Sequence, residues 1–177
     1  MTSILPAVDF KMRVPNSDNT GFRWEDVSSY DLFAGLRVVI FSLPGAFTPT
    51  CSTMQVPSFE ERFEEFLELD IDAVYCISVN DAFVMNAWSN HLGLKNVQVV
   101  PDGSGYFTSA MGMLVDKDNL GFGLRSWRYA VIADNGRIEK MFVEPGMEDN
   151  CLTDPYGETS PERILEWIKA HQIALVA

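Results

Sequence analysis

Basic residues, cysteine and histidine are all scarce in this chain. Thirteen Lys and Arg stand against 25 Asp and Glu in 177 residues, a formal net charge of −12. A field of that sign repels the phosphate backbone and anionic lipid surfaces, so neither nucleic acid nor a membrane is expected as a partner. No run of about 18 apolar residues occurs, and Met1 to Val14 lacks the basic start and apolar core of a secretory leader, so the expected location is cytoplasmic. Cys51, Cys76 and Cys151 are too few and too widely spaced for a disulfide framework, and no Cys-x-x-Cys supplies a dithiol redox pair or half of a zinc site. A Gly-rich phosphate loop, a His-x-x-x-His spacing and an internal repeat are missing too, which points away from nucleotides, metals and solenoids. No Pro/Gly/Ser-rich linker interrupts a composition that is 47% hydrophobic, so residues 1–177 read as one domain. These absences leave open a single reactive thiol.

The organisation is legible from hydrophobic period. Arg37 to Ser42 and Ala73 to Val79 are short β-branched runs suited to buried strands. Between them Val56, Phe59, Phe63, Phe66 and Leu67 recur at helical spacing, with glutamates on the opposite face, giving a β-α-β unit. Ala82 to Leu92 reads as a helix, and Val97 to Val100 as a strand before a Pro-Asp-Gly loop. Ser126 to Ala133 and Arg137 to Val143 flank Asn135-Gly136, a hairpin signal. A last helix starts near Ser160, where a capping serine precedes Pro161. The order β-α-β-α-β, hairpin, helix predicts an α/β fold of the thioredoxin-like kind, with a mixed central sheet and helices on both faces.

Chemistry concentrates in Leu43-Pro44-Gly45-Ala46-Phe47-Thr48-Pro49-Thr50-Cys51, where a strand hands over to a helix. Unpaired N–H groups at a helix start favour an anion, and the anion a cysteine offers is a thiolate. Pro44 and Pro49 stiffen the loop and keep Thr48 close to the thiol. Alternation in Ser126 to Val131 puts Trp127, Tyr129 and Val131 on one face and Arg128 with Ala130 on the other. A cation held inside the sheet needs an anion, and the thiolate is a candidate partner. Pro57, placed inside the following helix, is expected to kink it and ease unwinding of the Cys51 turn.

These residues resemble a known family, the peroxiredoxins, and within it the atypical, peroxiredoxin-5-like branch. Pro44-x-x-x-Thr48-x-x-Cys51-Ser52 looks like the family's active-site signature. Ser78-Val79-Asn80-Asp81-Ala82-Phe83 and Gly121-Phe122-Gly123-x-Arg125-Ser126-Trp127-Arg128-Tyr129 resemble further segments, so the likeness runs from Phe22 to the final helix. The resemblance implies a thiol-dependent peroxidase without metal or organic cofactor, acting on hydrogen peroxide and small organic hydroperoxides. It makes Cys51 the peroxidatic cysteine, Thr48 a hydroxyl contacting peroxide and thiolate, Pro44 a shield against solvent, and Arg128 the guanidinium beside the sulfur. Arg125 matches a second arginine of the segment. Gln55 departs from the pattern: many members of the branch carry histidine there, and an amide cannot become a cation. The oxidised cysteine needs a second thiol. The internal candidate is Cys151, in a polar loop expected to be mobile, and the external ones are glutathione with glutaredoxin, or thioredoxin. A homodimer is implied as well, with Phe47 and Phe83 either lining its contact or packed as ordinary core.

Plainer readings stand beside these. Cys51 as a buried structural thiol and Arg128 as an exposed strand arginine are each compatible with residue type alone, and Cys76, inside a strand, reads as structural. Trp88, Trp127 and Trp167 read as packing. His91, near the end of its helix, or His171, in the last helix, would have to meet Cys51 for a Cys-His hydrolase. Two further alternatives are a non-enzymatic peroxide sensor that passes oxidation to a partner and a thiol-disulfide oxidoreductase, the latter disfavoured by the missing second cysteine.

Overall fold

Side-chain alternation along five strands builds two cores, one on each face of a central sheet. The computed structural model describes residues 3–18 and 20–176, with side chains as far as His171. In chain order its elements are β1 (Asp9–Pro15), β2 (Phe22–Ser28), α1 (Ser29–Phe33), β3 (Arg37–Ser42), a π-helical turn (Cys51–Gln55), α2 (Val56–Glu61), α3 (Phe63–Leu67), β4 (Ala73–Ser78), α4 (Ala82–Leu92), β5 (Gln98–Pro101), α5 (Tyr106–Ala110), β6 (Leu114–Asp116), a 3-10 turn (Asp118–Leu120), β7 (Leu124–Ser126), β8 (Tyr129–Asp134), β9 (Arg137–Val143) and α6 (Pro161–Val176). The main sheet has the order β5-β4-β3-β8-β9, parallel from β3 to β5 and antiparallel at β8 and β9. This is the mixed sheet of a thioredoxin-like α/β fold.

Even and odd positions sort cleanly. Val38, Ile40, Tyr75, Ile77, Tyr129 and Val131 pack with Phe10, Phe33 and Phe107 on one face. Val39, Phe41, Val74, Cys76, Ala130 and Ile132 pack on the other with Cys51, Phe59, Phe66, Trp88 and Ile164. Each fully buried Val, Leu, Ile or Phe contributes roughly 1.5–3 kcal/mol, so these two layers dominate the stability. Phe41 stacks on Phe59 with centroids 3.9 Å apart, which seats the helix bearing Cys51 against β3. At the hairpin, Asn135 and Gly136 both take positive φ, as a two-residue loop between twisted strands requires.

Several expectations are corrected. The helix after Cys51 is not continuous: it breaks at Arg62 (φ −99°, ψ 11°), and the rotation turns Leu67 outward although the pattern assigned it to the apolar stripe. Pro57 produces a wide turn rather than a simple kink, with the Val56 N–H donating to the Cys51 carbonyl in the π pattern just before the imino acid. The strand expected from Ser126 to Ala133 is two strands. Ser126 pairs with Leu114 in a small sheet, the Trp127 N–H donates to Met113 O, and β8 begins only at Tyr129. The hairpin β1–β2, the helices α1 and α5 and the strands β6 and β7 were not anticipated. No described helix is long and apolar enough to cross a membrane.

Candidate active site

The end of β3 delivers the loop that carries Pro44 and Thr48, and a helical run over 49–61 begins immediately after it with Cys51 in its first turn. The loop is held from three sides. Asn80 Oδ1 accepts from the Ala46 N–H at 2.9 Å and from Ser78 Oγ at 2.7 Å. Thr48 Oγ1 donates to Gly45 O at 2.7 Å, and the Ser52 N–H donates to Thr48 O at 3.0 Å, closing the first turn around the cysteine. Arg125 lies across the loop, its Nη1 donating to Pro44 O at 3.4 Å while its ring neighbour is Phe122. A Cβ on Gly45 would stand 2.6 Å from Arg125 Nη1, so any side chain there would displace the end of that arginine. Phe47 adopts φ 61°, the left-handed region that a bulky residue enters only when its surroundings hold it. One residue beyond Cys51, Ser52 Oγ accepts from Trp88 Nε1 at 3.0 Å, which ties the Cys51 helix to α4.

Arg128 meets this loop because of sheet register. Tyr129, the first residue of β8, is opposite Ser42, the last of β3, so the residue just before β8 lies beside the loop that β3 feeds. Its side chain is 1% exposed. Nη1 donates to Cys51 Sγ at 3.5 Å and to Gln55 Oε1, Nη2 donates to Asp154 Oδ1, and Nε donates to Pro155 O at 3.0 Å. The Tyr156 ring lies 5.7 Å from the guanidinium carbon. Burial pulls the Arg128 pKa down, but negative charge on Cys51 and Asp154 outweighs burial and holds it above its ordinary value. A permanent cation therefore faces a completely buried sulfur in a dry setting, where electrostatic interactions are strong. A guanidinium so placed can stabilise negative charge, whether at the sulfur or developing on an oxygen that departs from it.

Comparison with known proteins gives this geometry its lineage. Residues 11–155 match the family model described as Redoxin. A peroxiredoxin of Rhizobium etli is 58% identical over 173 residues, covering 96% of this chain and 97% of that one. The chain belongs to the peroxiredoxin family. Among solved structures, the Plasmodium falciparum antioxidant protein, a 1-Cys peroxiredoxin, superposes with a TM-score of 0.90 at 33% identity, covering 96% of this chain and 99% of the other. Reduced Prx3 of Vibrio vulnificus in complex with hydrogen peroxide gives 0.78 at 33% identity, with 93% and 96% covered. Membership makes this chain an enzyme, a thiol-dependent peroxidase.

Within this peroxiredoxin the sequence-derived residues fall into three groups. Arg128 meets Cys51 directly, and Pro44 and Thr48 lie on the loop that leads into the Cys51 turn, where the Thr48 hydroxyl bonds Gly45 O. Arg125 braces the loop of that site from outside. Cys151 lies elsewhere: it packs with the core on the opposite face of the sheet from Cys51, its Sγ 3.4 Å from Thr153 Oγ1. It does share a groove of about 470 Å³ with Pro44, Thr48, Phe122 and Leu152. Its loop, expected to be mobile, is pinned instead. Asp149 Oδ1 accepts from the Asp116 N–H, Asn150 Oδ1 accepts from the Asn119 N–H, and Lys117 Nζ donates to Cys151 O. Polar residues in that loop satisfy backbone donors, which is why polarity misled. Cys76 sits in the same core layer as Cys51, and burial pushes its thiol pKa well up, with Cys51 adding to the effect and Arg128 opposing it, so it stays a neutral thiol.

Neither histidine meets the cysteine among the described residues: His91 faces the Phe47 ring, and His171 bonds Trp167 O at 2.7 Å. Asn80, Asp154 and Tyr156 were missed. Asn80 had a signal, since it stands inside a segment that resembled the family, whereas Asp154 and Tyr156 act across long sequence separations and leave no local pattern.

Proposed function

We propose that residues 1–177 form one peroxiredoxin domain whose peroxidatic cysteine is Cys51, with hydrogen peroxide and small organic hydroperoxides as substrates. The observation that carries the reading is Arg128 Nη1 at 3.5 Å from a fully buried Cys51 Sγ in the first turn of a helix. The Cys51 thiolate attacks one peroxide oxygen, an S–O bond forms as the O–O bond breaks, and the departing oxygen leaves as water or an alcohol after taking a proton. Sulfur is oxidised by two electrons to sulfenic acid and the peroxide is reduced by two. Arg128 and Thr48 stabilise the charge on the oxygens as it shifts, and Pro44 keeps bulk water from the sulfur. A thiol then condenses with the sulfenic acid, releasing water and leaving a disulfide, and a second thiol restores Cys51.

The resolving thiol in this reading is external, glutathione with glutaredoxin or thioredoxin, because Cys151 packs on the other side of the sheet in a pinned loop. The designation 1-Cys on the Plasmodium relative fits that cycle. Cytoplasmic reductants would also keep all three cysteines free. The protein works as a homodimer, for which Phe47 and Phe83, 52% and 57% exposed beside the site, supply an apolar contact. The test is steady-state peroxide consumption with each reductant system, using wild type, Cys51→Ser and Cys151→Ser. Full turnover in Cys151→Ser and none in Cys51→Ser is expected. Loss of turnover in Cys151→Ser would move the resolving thiol inside the chain, and retention in Cys51→Ser would remove the reading.

A further inference from the structure

Four hydrogen bonds hold the Arg128 guanidinium, and two of its acceptors, Cys51 and Asp154, can carry negative charge. The two differ in constancy. Taking Cys51 as the peroxidatic cysteine, its charge comes and goes in every turnover: the thiolate attacks, and both the sulfenic acid and the mixed disulfide that follow are neutral. A buried guanidinium that relied on the sulfur alone would be unpaired for half the cycle, which is costly in a dry site. Asp154 takes no part in the bond changes, and its carboxylate oxygen accepts from Arg128 Nη2. Its side chain is 47% exposed while that of Arg128 is 1% exposed, so the pair answers a need of the arginine far more than of the aspartate.

The segment that brings Asp154 is built to stay in place. Tyr156 Oη lies 3.1 Å from Ser58 Oγ on α2, linking the segment to the helical run that carries Cys51. The buried Glu144 carboxylate accepts the Gly157 N–H, the Thr159 N–H and Thr159 Oγ1, each at 2.8 Å. Residues 154–157 thus cross the buried arginine as a strap fastened at Tyr156 and Gly157, just beyond Asp154. We infer that Asp154 is a positioning residue: through this strap it acts as the permanent counter-ion of Arg128 and keeps the guanidinium aimed at the sulfur when Cys51 is neutral. The substrate-facing chemistry stays with Cys51 and Arg128.

The experiment compares two second-order rate constants at one pH, Cys51 with hydrogen peroxide and Cys51 with iodoacetamide, in wild type, Asp154→Ala, Asp154→Asn and Asp154→Glu, with melting temperatures alongside. Alkylation needs a reactive sulfur but no aligned guanidinium, so the ratio of the two rates isolates positioning from a general loosening. Asp154→Ala is expected to lower the peroxide rate about tenfold and alkylation by less than about threefold, with Asn intermediate and Glu recovering most of the loss. Asn is nearly isosteric and serves if the Ala variant fails to fold. The inference is overturned if Asn and Ala both match wild type, or if both rates change in parallel with a fall in melting temperature, the mark of a purely structural strap. Peroxide reduction persisting in Cys51→Ser would instead overturn the assignment of Cys51, so the two failures are distinguishable.

Discussion

Replacing Arg128 with Gln removes the one cation that, among the described residues, touches the sulfur while keeping much of the side chain's length. At 3.5 Å and an effective dielectric constant of about 20, a full charge pair is worth about 5 kcal/mol. Asp154 already engages the same guanidinium, so roughly half of that, about 2–3 kcal/mol, is available to the sulfur and the oxygen leaving it. On the scale of about 1.4 kcal/mol per tenfold, Arg128→Gln should slow the reaction of Cys51 with hydrogen peroxide roughly 30- to 140-fold. Arg128→Lys keeps the charge, but one ammonium cannot span Cys51, Gln55, Asp154 and the Pro155 carbonyl together, so it should recover only about tenfold of that loss. Stopped-flow fluorescence follows the step directly, because Trp88 is hydrogen-bonded to the residue after Cys51. A rate for Arg128→Gln within about threefold of wild type would refute the electrostatic role.

Other outcomes follow from the same geometry. Cys76 and Tyr129 are both buried, and burial raises both pKa values, from ordinary values of 9.0 and 10.0. The unfolded chain would ionise there and the folded one would not, so the folded state loses stability as pH rises through and beyond those values; urea unfolding from pH 8 to 11 should show it, less steeply in Cys76→Ala. Gly45→Ala should push Arg125 off the Pro44 carbonyl, costing about 1 kcal/mol, and it should not add to Arg125→Ala in a double-mutant cycle, since both lose one contact. Additive losses would count against that contact. Pro57→Ala restores a backbone donor and lets the wide turn relax to an ordinary helix, so reduction of the Cys51 sulfenic form should slow; unchanged kinetics of reduction by an added thiol would sink the idea.

How much could be read in advance depended on sequence separation. Pro44, Thr48 and Cys51 lie within eight residues on one loop, and the period of the Trp127 to Val131 segment placed Arg128 on the Cys51 side of the sheet even though the strand itself is interrupted there. The central strands were legible because burial on both faces makes them continuously apolar. The β1–β2 hairpin was overlooked although Asp9-Phe10-Lys11-Met12-Arg13-Val14 alternates polar and apolar, with Phe10 buried and Met12 packed on the core, because β2 is almost wholly exposed and no Asn-Gly or Asp-Gly turn marks the connection. The partners that orient Arg128 were illegible for a different reason. Gln55 is 73 positions away and Asp154 is 26, and a hydrogen bond across such a span imposes no period, cap or turn on either segment. The loop around Cys151 looked free because it is polar, when its aspartate and asparagine side chains spend that polarity on backbone donors of the loop facing them.

The most direct test of the central claim is the site of first oxidation. Reduced protein would receive one equivalent of hydrogen peroxide, and intact and peptide masses would be taken with Cys51→Ser and Cys151→Ser alongside. A gain of one oxygen on Cys51, absent in Cys51→Ser and kept in Cys151→Ser, is the predicted result. A bridge between Cys51 and Cys151 would retain Cys51 as the centre and replace the external resolving thiol with an internal one, whereas oxidation at Cys76 or Cys151 with Cys51 untouched would contradict the account.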